Sequence, residues 1–104
     1  MKIVAVTACP TGVAHTYMAQ AAIEKECLKR GYEIKVETQG SMGIEQELEQ
    51  EEVDAADVVI LAVAIGIEGE ERFEEKQDQG KVLMVEPSEV IKHPSAIIDQ
   101  AEQL

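Results

Sequence analysis

Short, compact apolar runs alternate along the chain with longer segments of mixed polarity. Residues 2–8 and 58–63 are strongly apolar, as expected for parallel strands that are buried on both faces. Residues 32–38 alternate apolar and polar side chains, and residues 81–85 form a further short apolar run. The pattern therefore predicts four strands, with residues 58–63 at the sheet centre and residues 32–38 near an edge.

The segments between these runs have helical composition. Residues 14–30 are rich in Ala, Met, Gln, Glu and Lys and are followed by Gly31, a residue type favoured just after a helix. Four apolar residues at helical spacing predict its buried face, namely Ala14, Met18, Ala21 and Leu28. A loop is predicted over residues 39–43, and shorter helical segments over residues 44–51, 68–75, 88–92 and 95–103, the last two separated by Pro94.

Alternating elements of this length predict an α/β fold. We expect residues 1–104 to form a single domain, an open sheet of four parallel strands with helices on both faces, flavodoxin-like or Rossmann-like. In such folds ligands bind beyond the carboxyl ends of the strands. Cys9 follows the first strand, and residues 40–43 and 64–69 follow the second and third, so all three should meet at one rim.

Charge and length restrict the possible partners and location. The net charge of −12 argues against a nucleic-acid or anionic-membrane surface and favours partners with a basic face. The N terminus does not resemble a signal peptide, and no apolar run approaches the roughly 20 residues needed to cross a bilayer. We therefore expect a soluble, cytoplasmic chain without direct membrane insertion.

The two cysteines are far apart in the sequence. Cys9 and Cys27 have no C-x-x-C spacing, which predicts reduced thiols and neither a disulfide nor a zinc site. Cys27 lies off the predicted apolar face of its helix, so it is expected to be a bystander of ordinary reactivity. His93 has no ligand-spaced partner, and no metal or cofactor is expected.

The chemistry-bearing motif is C-P-T-G-V-A-H-T at residues 9–16, where a strand passes into a helix. Backbone N–H groups and the positive helix end favour a thiolate and a bound phosphate there. A cysteine thiol is mostly protonated at neutral pH. For Cys9 to act as a nucleophile, the positive helix end must stabilise its thiolate or a base must take its proton. The side chains and backbone expected to bind the phosphoryl group are those of Pro10, Thr11, Gly12, Val13, Ala14, His15 and Thr16.

This motif, with V-E-T-Q-G-S-M-G at residues 36–43, resembles the fructose-type enzyme IIB of the bacterial phosphoenolpyruvate-dependent sugar phosphotransferase system. The resemblance covers essentially the whole chain and is weaker over residues 64–80. It implies that Cys9 accepts a phosphoryl group from a histidine of a IIA unit. The group then passes to a sugar, in that family fructose, bound by a membrane-embedded IIC unit.

The same resemblance implies how the chain works with its partners. It would act as a monomer at the inner face of the membrane, held there through the IIC partner. The turn expected to contact partner proteins consists of Gly40, Ser41, Met42 and Gly43, where an exposed methionine suits a transient contact. We expect Cys9→Ser to abolish the relay and Cys27→Ser to leave it intact.

Two other classes of function stay open from the residues. The spacing from Cys9 to His15 is similar to the phosphate loop of small tyrosine phosphatases, but His15 stands where those enzymes have arginine. Such a phosphatase would also need a positioned aspartic acid, and no aspartate here lies in a recognisable motif for it. The other alternative is a non-catalytic flavodoxin-like regulatory module in which Cys9 is structural.

Overall fold

A computed structural model describes residues 1–9, 13–40 and 42–104, with the backbone alone for Val13. Within these ranges one five-stranded sheet has the order β3-β2-β1-β4-β5. The strands are β1 (Lys2–Ala8), β2 (Glu33–Gly40), β3 (Gly43–Glu45), β4 (Val58–Val63) and β5 (Val82–Val85). Neighbouring strands among β1, β2, β4 and β5 pair in parallel, which confirms the four predicted parallel strands, and β1 lies at the centre of the five-stranded sheet.

The placement of β4 at the sheet centre was wrong. Strand β1 pairs with β2 on one side and β4 on the other, while β5 covers the outer edge of β4. Both β1 and β4 are buried on both faces, so apolar content alone does not distinguish the central strand from its neighbour.

The predicted helix over residues 44–51 was also wrong. Residues Gly43–Glu45 form the antiparallel strand β3, which pairs with the end of β2. Gly43 has φ of +92°, a left-handed conformation that glycine adopts without strain. The helix that follows begins later, at Gln50, where Glu49 and Glu52 bond each other's backbone N–H groups as a capping box.

The helices cover both faces of the sheet. They are α1 (Val13–Lys29), α2 (Gln50–Ala55), α3 (Glu74–Asp78), α4 (Pro87–Lys92) and α5 (Pro94–Glu102), with a 3₁₀ turn at Glu70–Phe73. One apolar cluster contains residues of α1, α4 and α5, and the other contains α2 and Phe73 of the 3₁₀ turn. No helix in the described part of the chain is both long and apolar enough to cross a membrane.

The buried face of α1 differs from the predicted one. Ala19, Ile23 and Cys27 face the core, whereas Met18 and Leu28 are exposed. The apolar pattern misled because alanines of this helix are both exposed, at Ala14 and Ala21, and buried, at Ala19, and so do not define a face. The buried face instead combines the small Ala19 and Cys27 with Ile23, one of the largest fully buried side chains.

Candidate active site at the carboxyl end of the sheet

Cys9 directly follows β1 and precedes the first turn of α1, which begins at Val13. Its side chain is half-buried, and its Sγ lies 3.9 Å from Nδ1 of His15. His15 is exposed in the first turn of α1. The thiol therefore has an imidazole within reach of a hydrogen bond to sulfur, close to the amino terminus of the longest helix described.

Only some of the remaining residues of the motif lie within the described part of the chain. Pro10, Thr11 and Gly12 lie outside the described residues, as does the side chain of Val13, so their predicted phosphate contacts stay predictions. Ala14 is exposed on α1. Thr16 is fully buried, and its hydroxyl has no hydrogen-bond partner in the part of the chain described. The phosphate roles of Ala14, His15 and Thr16 likewise stay predictions.

The hairpin of β2 and β3 forms one side of the rim. Gly40 and Gly43 are paired across it, and the side chain of Met42 is 77% exposed. The Tyr17 hydroxyl of α1 donates a hydrogen bond to the carboxylate of Glu45 in β3, and this bond raises the pKa of Tyr17. The hairpin is thus tied to the helix that starts at the motif. Ser41 lies outside the described residues, and a partner-contact role of this turn stays a prediction.

The segment of residues 64–69 forms the other side of the rim. Its first backbone N–H, from Ala64, donates to the carbonyl oxygen of Ala8 at 3.0 Å. Beside it lies a groove of about 360 Å³. The groove is lined by apolar residues at the ends of β4 and β5, by the loop and by one carboxylate: Leu61, Val63, Ala64, Ile65, Gly66, Ile67, Glu70 and Met84.

A buried ion pair joins the two sides. The guanidinium of Arg72 donates to both carboxylate oxygens of Glu37 in β2, at 2.7 and 3.0 Å. The Glu37 side chain is fully buried and that of Arg72 is 12% exposed. Glu37 also accepts from the backbone N–H of Leu48 at 2.7 Å and from Nε2 of Gln39 at 2.6 Å.

These partners keep Glu37 ionised. Burial by itself acts to raise the pKa of Glu37, but the hydrogen bonds from Arg72, Gln39 and Leu48 outweigh it and hold the pKa below its usual value. The pKa of Arg72 is raised in turn, chiefly by its hydrogen bonds to Glu37. The four hydrogen bonds that the Glu37 carboxylate accepts thus offset the cost of burying its charge.

The sequence and the fold agree with proteins of known family. The family model described as "PTS system, Lactose/Cellobiose specific IIB subunit" matches residues 4–100. The "PTS system fructose-like EIIB component 2" of Escherichia coli K12 is 52% identical over 101 residues, spanning 97% of this chain and 92% of that protein. The chain belongs to the fructose-type IIB family of the sugar phosphotransferase system.

Two further comparisons agree with this assignment. A crystal structure of a domain from the "fructose-specific iiabc component (Pts system)" of Borrelia burgdorferi has a TM-score of 0.87 and 52% identity, covering 98% of this chain and 93% of that one. A "Fructose-like PTS system EIIBC component" of Escherichia coli K12 is 53% identical over 72 residues, which are 69% of this chain and 15% of that protein. This IIB component is therefore a phosphoryl carrier in a sugar phosphotransferase system, and the predicted family, fold and class of function are confirmed.

The prediction that Cys27 lies off the buried face of its helix and has ordinary reactivity was wrong. Its side chain is fully buried in the core with Ala19 and Ile23. Burial raises the pKa of the Cys27 thiol to about 11, so this thiol is less reactive than an ordinary one. The mistake follows directly from the wrong choice of buried face for α1.

Arg72 and Glu37 were missed by the sequence reasoning, although a signal was present. The alternation over residues 32–38 predicted a strand near an edge, but both sides of an inner strand in a doubly covered sheet are buried. An acidic residue in such a strand needs a cation, and Arg72 lies in the acidic segment E-G-E-E-R-F that looked least typical of the family. The pairing partner could not be chosen from sequence because 35 residues separate the two side chains.

Proposed function

We propose that Cys9 is the phosphoryl-accepting nucleophile of this IIB component. The Cys9 thiolate attacks the phosphorus of a phosphohistidine on the donor, so an S–P bond forms as the N–P bond breaks and the donor imidazole leaves. A sugar hydroxyl then attacks the same phosphorus. The S–P bond breaks, the thiolate returns, and the hydroxyl proton passes to a base or to solvent.

The observation that carries the proposal is the position of Cys9. It lies at the carboxyl end of the central strand, immediately before α1, with its Sγ 3.9 Å from the imidazole of His15. Ligands of open α/β sheets bind at this end of the strands. The first N–H groups of α1 have no partners within the helix and favour an anion, which supports phosphate binding beside this thiol.

His15 and Thr16 have complementary roles in the proposal. His15 takes the thiol proton or donates a hydrogen bond to a phosphoryl oxygen, according to its protonation state. Thr16 donates a hydrogen bond from its hydroxyl to an oxygen of the bound phosphoryl group, a role supported by the absence of another partner for that hydroxyl among the described residues. The proposed phosphoryl site also includes Pro10, Thr11, Gly12, Val13 and Ala14, and all of these except proline offer a backbone N–H group.

The donor and the acceptor are part of the same proposal. We propose that a IIA unit supplies the phosphohistidine and that a membrane-embedded IIC unit presents the sugar, fructose or a close relative. This is supported by the names of relatives, which include fructose-like EIIB and EIIBC components. The chain would then work at the inner face of the membrane through IIC, and Gly40, Ser41, Met42 and Gly43 would contact partners there.

The test is the intact mass of the chain after incubation with phosphoenolpyruvate, the general phosphotransferase proteins and a fructose-type IIA unit. We expect a single phosphoryl adduct on the parent chain and none on Cys9→Ser. An adduct that persists in Cys9→Ser would overturn the proposal. Release of inorganic phosphate from an aryl phosphate without an adduct would indicate a phosphatase instead.

His15→Ala tests the role of the imidazole, with His93→Ala as its matched control. Both histidines are exposed, and the His93 side chain makes no capping hydrogen bond at the start of α5. We expect His15→Ala to slow adduct formation by about tenfold to about a hundredfold and His93→Ala to have no effect. Equal rates for the two variants would remove His15 from the mechanism.

A further inference from the structure

A cluster of hydrogen-bonded polar groups, from the fully buried Glu37 to the exposed Glu68, lies near the proposed phosphoryl site. It consists of Glu37 and Gln39 of β2 together with Glu68, Gly69 and Arg72, and is called here the Arg72 cluster. The guanidinium of Arg72 makes two bonds to Glu37, and its Nε donates to the carbonyl oxygen of Gly69 at 2.7 Å. Gln39 and Glu68 exchange two bonds, with Nε2 of Gln39 donating to the Glu68 carbonyl at 2.9 Å and Oε1 of Gln39 accepting from the Glu68 N–H at 2.8 Å.

The Arg72 cluster joins two segments that are distant in the sequence. Gln39 immediately precedes the turn of the β2–β3 hairpin, while Glu68 and Gly69 end the loop of residues 64–69. The hairpin and the loop are therefore held to each other through side chains as well as through the sheet. Glu37 is fully buried, so a movement of Arg72 away from it would leave a buried charge unpaired, which is energetically costly.

The two segments flank Cys9. Thr7 pairs with Thr38 on one side of β1, and Ala8 pairs with Val63 on the other. Cys9, which directly follows β1, therefore lies between the hairpin and the loop. Each of these two segments presents an exposed apolar side chain, with Met42 77% exposed on the hairpin and Ile65 44% exposed on the loop.

We propose that Arg72 and Glu37 are positioning residues, which hold the hairpin and the loop at the separation required by the protein that donates the phosphoryl group. The inference rests on the proposed function, since a donor that brings phosphohistidine to Cys9 must contact the rim on both sides of the thiol. A guanidinium has a planar fork that bonds both oxygens of a carboxylate, which an ammonium cannot do. Arg72→Lys therefore keeps the charge but loses the fixed geometry.

Arg30→Lys is the matched control. Arg30 bonds Glu26, Asp99 and Glu102, and its side chain is 19% exposed compared with 12% for Arg72. It lies just before β2, whose first residue pairs with Lys2, and is therefore at the opposite end of the sheet from Cys9. Both substitutions remove the planar fork of a largely buried arginine from an ion-pair network, but only Arg72 borders the rim.

The experiment measures two rates in each full-length variant. The first is phosphoryl transfer from phosphorylated IIA as a function of its concentration, and the second is alkylation of Cys9 by iodoacetamide. We expect Arg72→Lys to raise the KM for the donor by about tenfold while kcat and the alkylation rate change less than about twofold. Arg30→Lys should leave all three unchanged.

Several outcomes would overturn the inference. They are an equal rise in KM with Arg30→Lys, a fall in kcat at unchanged KM, or a change in alkylation as large as the change in transfer. If Arg72→Lys does not fold, Gln39→Ala removes the two bonds to Glu68 and one bond to Glu37 but leaves the ion pair of Arg72 with Glu37, and it should raise the KM in the same direction. An unchanged KM in Gln39→Ala would then count against the inference. A parent chain that accepts no phosphoryl group overturns the proposed function instead, and the inference with it.

Discussion

The guanidinium of Arg72 lies directly against the Cα of Gly69. A Cβ at this position would come 2.6 Å from Nε and 2.8 Å from Nη2 of Arg72, closer than non-bonded atoms approach. Gly69 also has φ of +71°, in the left-handed region. The segment of residues 64–80, over which the family resemblance is weaker, therefore contains a glycine whose missing side chain makes room for the buried ion pair.

Gly69→Ala should lower the free energy of unfolding by about 2 to 3 kcal/mol, because it adds both backbone strain and displacement of Arg72. Gly80→Ala is the matched control, since Gly80 has the same φ of +71° and nothing within 4 Å of the added methyl group. It should cost about 1 kcal/mol, from strain alone. Urea unfolding of both variants measures the difference, and equal losses would show that the contact with Arg72 is unimportant.

The contribution of Glu37 to stability should depend on pH. Its pKa is lowered in the folded chain, so its contribution is complete above the ordinary glutamate pKa of about 4.3 and is lost as pH falls through the lower folded value. The stability difference between the parent chain and Glu37→Gln should therefore shrink as pH is lowered below about 4. Urea unfolding at a series of pH values measures this, and a difference that is constant with pH would contradict it. The lowered pKa of Glu52 affects both chains alike and cancels.

The two thiols should differ sharply in reactivity. Cys9 is half-buried at the rim, whereas Cys27 is fully buried and burial raises its pKa to about 11. Iodoacetamide should label Cys9 in the native chain and Cys27 only after unfolding, as peptide mass mapping would show. Native labelling of Cys27 at a comparable rate would mean that α1 opens readily.

Cys27→Ser should separate stability from function. A serine hydroxyl in this apolar core should lower the free energy of unfolding by about 1 to 2 kcal/mol, because no partner for it is evident among the apolar neighbours of Cys27 in the described core. Phosphoryl transfer by the folded fraction should be unchanged, as measured by intact mass after correction for unfolded chain. A loss of transfer without unfolding would assign Cys27 a part in the reaction.

The buried hydroxyl of Thr16 should matter for transfer and not for folding. Thr7 is its control, because both side chains are fully buried and neither hydroxyl has a partner among the described residues. Thr16→Val and Thr7→Val should each leave the free energy of unfolding within about 1 kcal/mol of the parent or raise it. Only Thr16→Val should slow formation of the phosphoryl adduct, by about tenfold. A large loss of stability in Thr16→Val, or an unchanged transfer rate, would contradict its proposed role.

Local sequence patterns correctly predicted the buried strands β1 and β4 and the first helix. The apolar runs at β1 and β4 predict buried strands, and the composition of residues 14–30 with Gly31 predicts a helix and its end. The helix predicted over residues 44–51 failed because the open edge of β2 offers backbone partners that no local preference reveals. The predicted buried face of α1 was wrong because alanine is found on both exposed and buried faces of a helix, so an alanine-rich sequence does not indicate which face packs on the sheet.

The sequence by itself determined the family, the α/β architecture and the motif that begins at Cys9, because each of these depends on residue types that are close together in the chain. Only the tertiary structure decided that Cys27 is buried, that β1 is central, and that Arg72 bonds Glu37 beside the rim. These features depend on which side chains meet across the sheet. Such meetings are settled by the collective packing of two buried faces and by the need of each buried charge for a partner, and neither is encoded by local sequence alone.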